Sequence, residues 1–241
     1  LGKQEKRNYT MKVLYVGCYR DGTGWGNAAI DYILSLDAAG VDVVPRAIKL
    51  NNKQVELPNR ILELENKSSQ GCDICIQHTL PHFMEYSNAF KKNIALYATE
   101  TDNFIDSDWA RRINMMDEAW VINNQMAEAS SRSGVTIPVK VVPHATNFSK
   151  FERTYNKLEF PSSKNNFVFY TVADWNKRKN IETFIRAFHT EFEADEPVSL
   201  LIKTSQQGVD PEQLAIKVRD MCNAVKTKIK KYNTIDEYKE D

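Results

Sequence analysis

The sequence predicts an α/β protein: a parallel sheet covered by helices on both faces, followed by a second and smaller αβ unit. Two observations carry this. Short apolar runs alternate with amphipathic helical patterns along most of the chain, and strands separated by helical segments pair in parallel, because a crossover helix brings the next strand back in the same direction. Residues 144–165, rich in Asn, Lys and Ser and containing Pro161, then interrupt the alternation. A break of this composition reads as a connection between domains. The expected organisation is therefore 11–143 as a first domain, 144–165 as a connection and 166–241 as the start of a second.

Taken in order, residues 12–17 (KVLYVG) form an apolar strand, and a glycine-rich loop follows. Residues 27–39 have a helical stripe through Ile30, Ile33 and Leu34 and a stop at Gly40,. Residues 41–48 make the second strand, and 49–70 are polar with one short helix around 60–67. Further short buried strands are expected at 74–77, 94–98, 119–122 and 139–142, with helical patterns near 83–91, 109–116 and 125–133,.

After the connection comes FVFYTVADWNKRKNIETFIRAF (167–188). It reads as a strand over 167–172, a loop carrying Lys177, Arg178 and Lys179, and a helix with Ile181, Phe184, Ile185 and Phe188 on one face,. A strand at 198–203 and a long helix started by Asp210 and Pro211 complete the chain,. Only two βα units are present after the break, too few for an independent covered sheet, so the second domain is expected to be incomplete.

Composition narrows the function. Thirty-two basic and 32 acidic side chains cancel, which argues against a nucleic-acid coat and against a polybasic membrane surface. No apolar run approaches a membrane span, and residues 1–10 lack the apolar core of a signal peptide,. Met11 is the expected natural start. Cys18, Cys72, Cys75 and Cys222 are too few and too scattered for a disulfide framework, so a reducing cytoplasm is the default expectation.

Several positions are candidates for chemistry. Three cations beside a helix start favour a doubly charged anion such as a diphosphate, because the helix end adds free N–H groups and partial positive charge. The competing reading is a solvated basic turn with Asn180 as N-cap. The loop 21–26 (DGTGWG), with Gly24, Trp25 and Gly26 at its end, lies where sheets of this class bind ligands, but its Gly-x-Gly-x-Gly spacing is not the dinucleotide fingerprint, and Pro45 and Arg46 stand where a ribose-binding acid would be expected,. Its competing reading is a turn needing positive φ. His78 follows a buried strand and Glu100 follows the next. Each reads either as a ligand-facing group at the sheet edge or as an ordinary hydrogen-bonded histidine and a solvated carboxylate. Cys72 and Cys75 have CxxC spacing without a second pair, and Pro81 keeps His78 and His82 off one helix face, so no metal site is expected,.

Four blocks in order carry a family resemblance: the glycine loop after the first strand, DEAWVINNQMAEASSRSGVTIPVKVVPHATNFSKF (117–151), the 167–188 stretch above, and SLLIKT (199–204). They resemble the retaining GT-B glycosyltransferases of family 4, and the ALYATETDNFIDSDW segment is similar to one subgroup. The resemblance runs from about Met11 to about Thr204. It implies two Rossmann-like domains across a cleft, the first for acceptor and the second for a nucleotide-sugar donor. Arg178 and Lys179 would hold the donor diphosphate and the Gly24, Trp25, Gly26 loop would lie near phosphate or acceptor; Glu100 and His78, put at the sheet edge by the strands they follow, are the candidate catalytic residues,. Many members have a histidine where this chain carries Glu100, so a histidine role does not transfer there. The family's paired-glutamate motif would fall beyond Asp241. The implied reaction moves a sugar from a nucleoside diphosphate to a carbohydrate, lipid or protein acceptor with retention, without metal or other cofactor and without nucleic acid; no spanning segment is expected, and peripheral membrane contact stays open. The alternative is a non-catalytic anion-binding or interaction module derived from a transferase.

Overall fold

The structure, a computed structural model, describes residues 11–50, 55–156, 158, 160 and 165–230. The expected tail 1–10 and Pro161 lie outside them. Contacts divide the chain between Arg153 and Thr154 into two compact units.

In the first unit β1 (Lys12–Gly17), α1 (Gly24–Ala38), β2 (Asp42–Ala47), α2 (Asn59–Glu65), β3 (Ile74–His78), β4 (Lys92–Leu96), α3 (Trp109–Ile113), β5 (Glu118–Val121), α4 (Asn124–Arg132) and β6 (Val139–Val141) follow one another. All six strands are parallel in the order β2-β1-β3-β4-β5-β6. This is a Rossmann-like order. The chain lays β2 on one side of β1 and then reverses to lay β3 to β6 on the other, so the switch point lies between β1 and β3. Ligands of open α/β sheets bind beside such a reversal, at the carboxyl ends of the strands, where the crossover connections diverge and leave a crevice.

Both faces are covered. On one, Ile33 and Ala29 of α1 and Ile61 and Leu64 of α2 pack on Val13, Tyr15, Val43, Ile76 and Ile94. On the other, Ile113, Met116, Ala129 and Met84 lie buried with Ala95, Tyr97, Ala119 and Val121 or close by. The amino ends of the strands carry a buried ionic link across three strands. Glu118 of β5, 4 % exposed, accepts from Lys92 Nζ of β4 at 2.7 Å and from Trp120 Nε1 at 2.6 Å, and pairs with Lys140 Nζ of β6 at 3.1 Å. Burial alone would raise its pKa, but these three donors hold it down to about 2,.

The expected helix at 83–91 is absent. A short 3-10 turn, Pro81–Phe83, leads into irregular chain. Side chains from the sheet take the backbone groups a helix would have bonded internally: the Gln77 amide donates to Glu85 O at 2.6 Å and accepts from Glu85 N at 3.0 Å, and Asn93 Oδ1 accepts from Ser87 N. Such tertiary bonds outweigh a local preference.

The stretch expected to connect the domains contains one helical turn, α5 (Ser149–Glu152), and Ala145 still packs against the first core. The second unit contains β7 (Phe167–Asp174), α6 (Ile181–Glu191), β8 (Val198–Ser205) and α7 (Pro211–Lys230). β7 and β8 form a two-stranded parallel sheet. Ile181 and Ile185 of α6 and Cys222 and Val225 of α7 pack on Ala173, Leu200 and Ile202. Among the described residues the opposite face is uncovered, with Tyr170 72 % and Val172 66 % exposed. A parallel sheet is ordinarily buried on both faces, so this unit has the form of an incomplete αβα domain.

Candidate functional site

The switch point of the first unit is occupied by an aromatic cluster around His78. Register places His78, the last residue of β3, opposite Gly17, the last of β1. Glycine is required there because a Cβ at residue 17 would stand 3.1 Å from Tyr15 Cε1 and 3.5 Å from His78 Cβ. Tyr15, two residues back on the same face, hydrogen-bonds His78 Nδ1 through its hydroxyl at 2.7 Å. The Trp25 ring lies 5.2 Å from the imidazole, and the Tyr32 ring meets it edge-on at 5.7 Å. His144, from the segment after β6, comes within 5.7 Å of the Tyr32 ring, and Tyr32 Oη donates to Val142 O at 2.9 Å, tying that segment to α1.

The imidazole is 2 % exposed. Burial, with His144 nearby, pushes its pKa down to about 4, so it is neutral at pH 7. Burial also pushes the Tyr15 phenol well above its ordinary value. The two neutral groups share one hydrogen bond; when the phenol donates, the ring's own proton is carried on Nε2. Beside them Thr79 is 2 % exposed, and its hydroxyl has no hydrogen-bond partner among the described residues.

Gly24, Trp25 and Gly26 are not a loop. They are the first turn of α1, which begins three residues before the expected start. Thr23 is its N-cap, with Oγ1 accepting from Gly26 N at 3.1 Å, and that bond stabilises a turn that two glycines would otherwise weaken. Gly26 also permits a close approach, since a Cβ there would lie 3.0 Å from Cys18 O. The residue with φ +63° is Gly22. The turn before α1 is fastened from the side: Glu65 of α2 accepts from Tyr19 Oη at 2.6 Å and forms an ion pair with Arg20.

Glu100 lies apart from this cluster. It is exposed and lines an open depression of about 290 Å³ with Thr99, Asp102, Asn123, Glu128 and Arg132 beyond the carboxyl ends of β4 and β5; His78 is not among the lining residues. Arg132 donates to Asp102 O at 3.2 Å and pairs with Glu128 at 3.6 Å. With three carboxylates and one guanidinium, the depression is rich in acceptors and suits a ligand that presents hydroxyl groups.

In the second unit, Lys177–Lys179 form a 3-10 turn after β7. Asn176 caps this turn, its Oδ1 accepting from Lys179 N at 3.0 Å. Asn180, expected as the N-cap of the next helix, stands in that position but in the left-handed region at φ 51°, ψ 42°, with no cap bond. Its Oδ1 instead accepts from Thr183 Oγ1 at 2.8 Å. Lys179 lines an open depression of about 360 Å³ with Val172, Asp174, Lys203, Thr204 and Ser205; Arg178 is exposed and is not among its lining residues.

Cys18, Cys72, Cys75 and Cys222 are all buried free thiols, and burial pushes Cys18 and Cys75 up to about 11. They are inert packing groups. Among the described residues no helix is long and apolar enough to cross a membrane.

Comparison of the sequence with protein-family models and with curated proteins returned no match. Fold and site together define an α/β protein of Rossmann-like strand order. It presents a buried aromatic and imidazole cluster at its switch point and a cationic depression at the carboxyl edge of a second, two-stranded sheet.

Proposed function

We propose that the chain is a glycosyltransferase that takes a sugar from a nucleoside diphosphate, with the diphosphate held by Lys179 and Arg178 in the second unit. The observation that carries this reading is the position of Lys179. It lines an open depression at the carboxyl end of β7, where a parallel sheet offers its ligand crevice and an exposed ammonium can meet phosphoryl oxygens. In the reaction the bond between the anomeric carbon and the phosphate oxygen breaks and its electron pair goes to the diphosphate. The acceptor hydroxyl bonds to the carbon on the face the leaving group left and passes its proton to the departing diphosphate oxygen. Fixed cations stabilise the charge that gathers on the leaving group. Glu100 and its neighbours would accept hydrogen bonds from acceptor hydroxyls. His78, neutral and enclosed, would hold Trp25 and Tyr15 in place at the switch point.

A second reading, a non-catalytic anion-binding module, draws on the same open depression beside Lys179 and needs no sugar transfer. One experiment separates the two. Under the first reading a nucleoside diphosphate binds more tightly than its nucleoside, and the difference shrinks as salt rises. Lys179→Ala and Arg178→Ala each slow sugar transfer, by up to about 2 to 4 kcal/mol of transition-state stabilisation. Transfer at the parent rate in both variants would rule out this role for the two cations, and diphosphate binding without any transfer by the parent would leave the binding module.

A further inference from the structure

We infer that Lys203 completes the anion site, binding the phosphoryl group from β8 while Lys179 binds it from the turn after β7. This deepens the diphosphate reading of the 177–179 turn and rests on it.

The argument begins with register. Val172 pairs with Lys203, Ala173 with Thr204 and Asp174 with Ser205. Ala173 and Ile202 face the helices, so alternation turns Lys203 to the other face, and it is exposed,. Lys179 enters from the turn after β7. Lys179 and Lys203 line one depression though they lie on different elements. Asp174 also lines it, but its Oδ1 is engaged by Ser205 Oγ at 2.6 Å. Two cations against one carboxylate leave a net positive site.

The donor set selects the ligand's shape. Two ammonium groups act as point charges that can turn toward a tetrahedral phosphoryl group from either side, whereas a planar carboxylate is matched best by a guanidinium fork. The class of ligand is therefore a phosphoryl anion, free or as the diphosphate of a nucleotide.

Calorimetric titration of the chain with inorganic pyrophosphate, and separately with UDP and GDP, tests this. Lys203→Ala should weaken pyrophosphate by about tenfold or more, as expected for a lost charged hydrogen bond. The loss at Lys203 should match that at Lys179→Ala and exceed that at Arg178→Ala, while Lys203→Arg recovers part of it. A circular dichroism spectrum unchanged from the parent excludes unfolding as the cause. Pyrophosphate bound equally by the parent and Lys203→Ala, but lost in Lys179→Ala, would overturn the role of Lys203 and leave the diphosphate reading standing. A parent chain that binds none of the three ligands would overturn both.

Discussion

The two units put their chemistry at the same kind of place, the carboxyl ends of parallel strands, yet in opposite physical states. In the first, His78 is 2 % exposed and ringed by Tyr15, Trp25 and Tyr32. In the second, Lys179 and Lys203 stand in an open depression on a sheet whose outer face leaves Tyr170 72 % exposed. The difference lies in how completely each sheet is covered. Six strands with helices on both faces exclude water deeply enough to shift an imidazole to about pH 4, and they enclose a carboxylate that three donors hold down at about 2,. Two strands covered on one face can only present solvated charges, which act through long-range attraction and weaken with salt.

The sharpest way to break this contrast is at Glu118. Glu118→Ala leaves Lys92 and Lys140 without their shared carboxylate, and should cost about 1.5 to 3 kcal/mol, read as a lower urea midpoint of the first unit. A change no larger than that of an exposed pair would mean the carboxylate is not shielded as described. The same group predicts acid sensitivity. Because its folded pKa of about 2 lies below the usual carboxylate value, its stabilisation is present above about pH 4.5 and is lost as pH falls toward 2,.

His78 gives a second, separable window. Its folded pKa of about 4 is depressed, so the stability it confers is present above about pH 6.5 and is lost as pH falls through about 4, in total about 3 kcal/mol. Urea midpoints measured at intervals across that range should fall in the parent and stay flat in His78→Phe, which has no proton to gain. A variant that falls with the parent's slope would assign the window to another group.

The smallest effect sharpens the comparison from the other side. On the two-stranded sheet, Tyr170→Thr should change stability by less than about 0.5 kcal/mol. Ile185→Ala, under the covered face where residue 185 is 0 % exposed, should cost about 2 to 4 kcal/mol. Equal costs in a thermal melt would show that the outer face is covered after all.

Much of the fold was legible in the chain because it is local. Strand runs and helical stripes appear in the periodicity of side chains, and β1, β3, α6 and α7 lie within a few residues of where their apolar patterns place them. Helix starts were less legible: Thr23 three residues before Gly26 was the available signal for an earlier α1, and the two glycines obscured it. The missing helix at 83–91 had no local signal, since Gln77 and Asn93, which hold that segment, belong to other elements.

The candidate site divides the same way. His78 at the end of a strand, Glu100 after the next, and the cations at 177–179 follow from strand polarity, which the sequence carries in the order of its apolar runs. That Gly17 must be bare beside His78, that His144 returns to Tyr32 from beyond β6, and that Lys203 shares a depression with Lys179 were decided only by the folded chain. The physical reason is register: pairing two strands fixes which side chains become neighbours across dozens of residues, and no periodicity within either strand contains that choice.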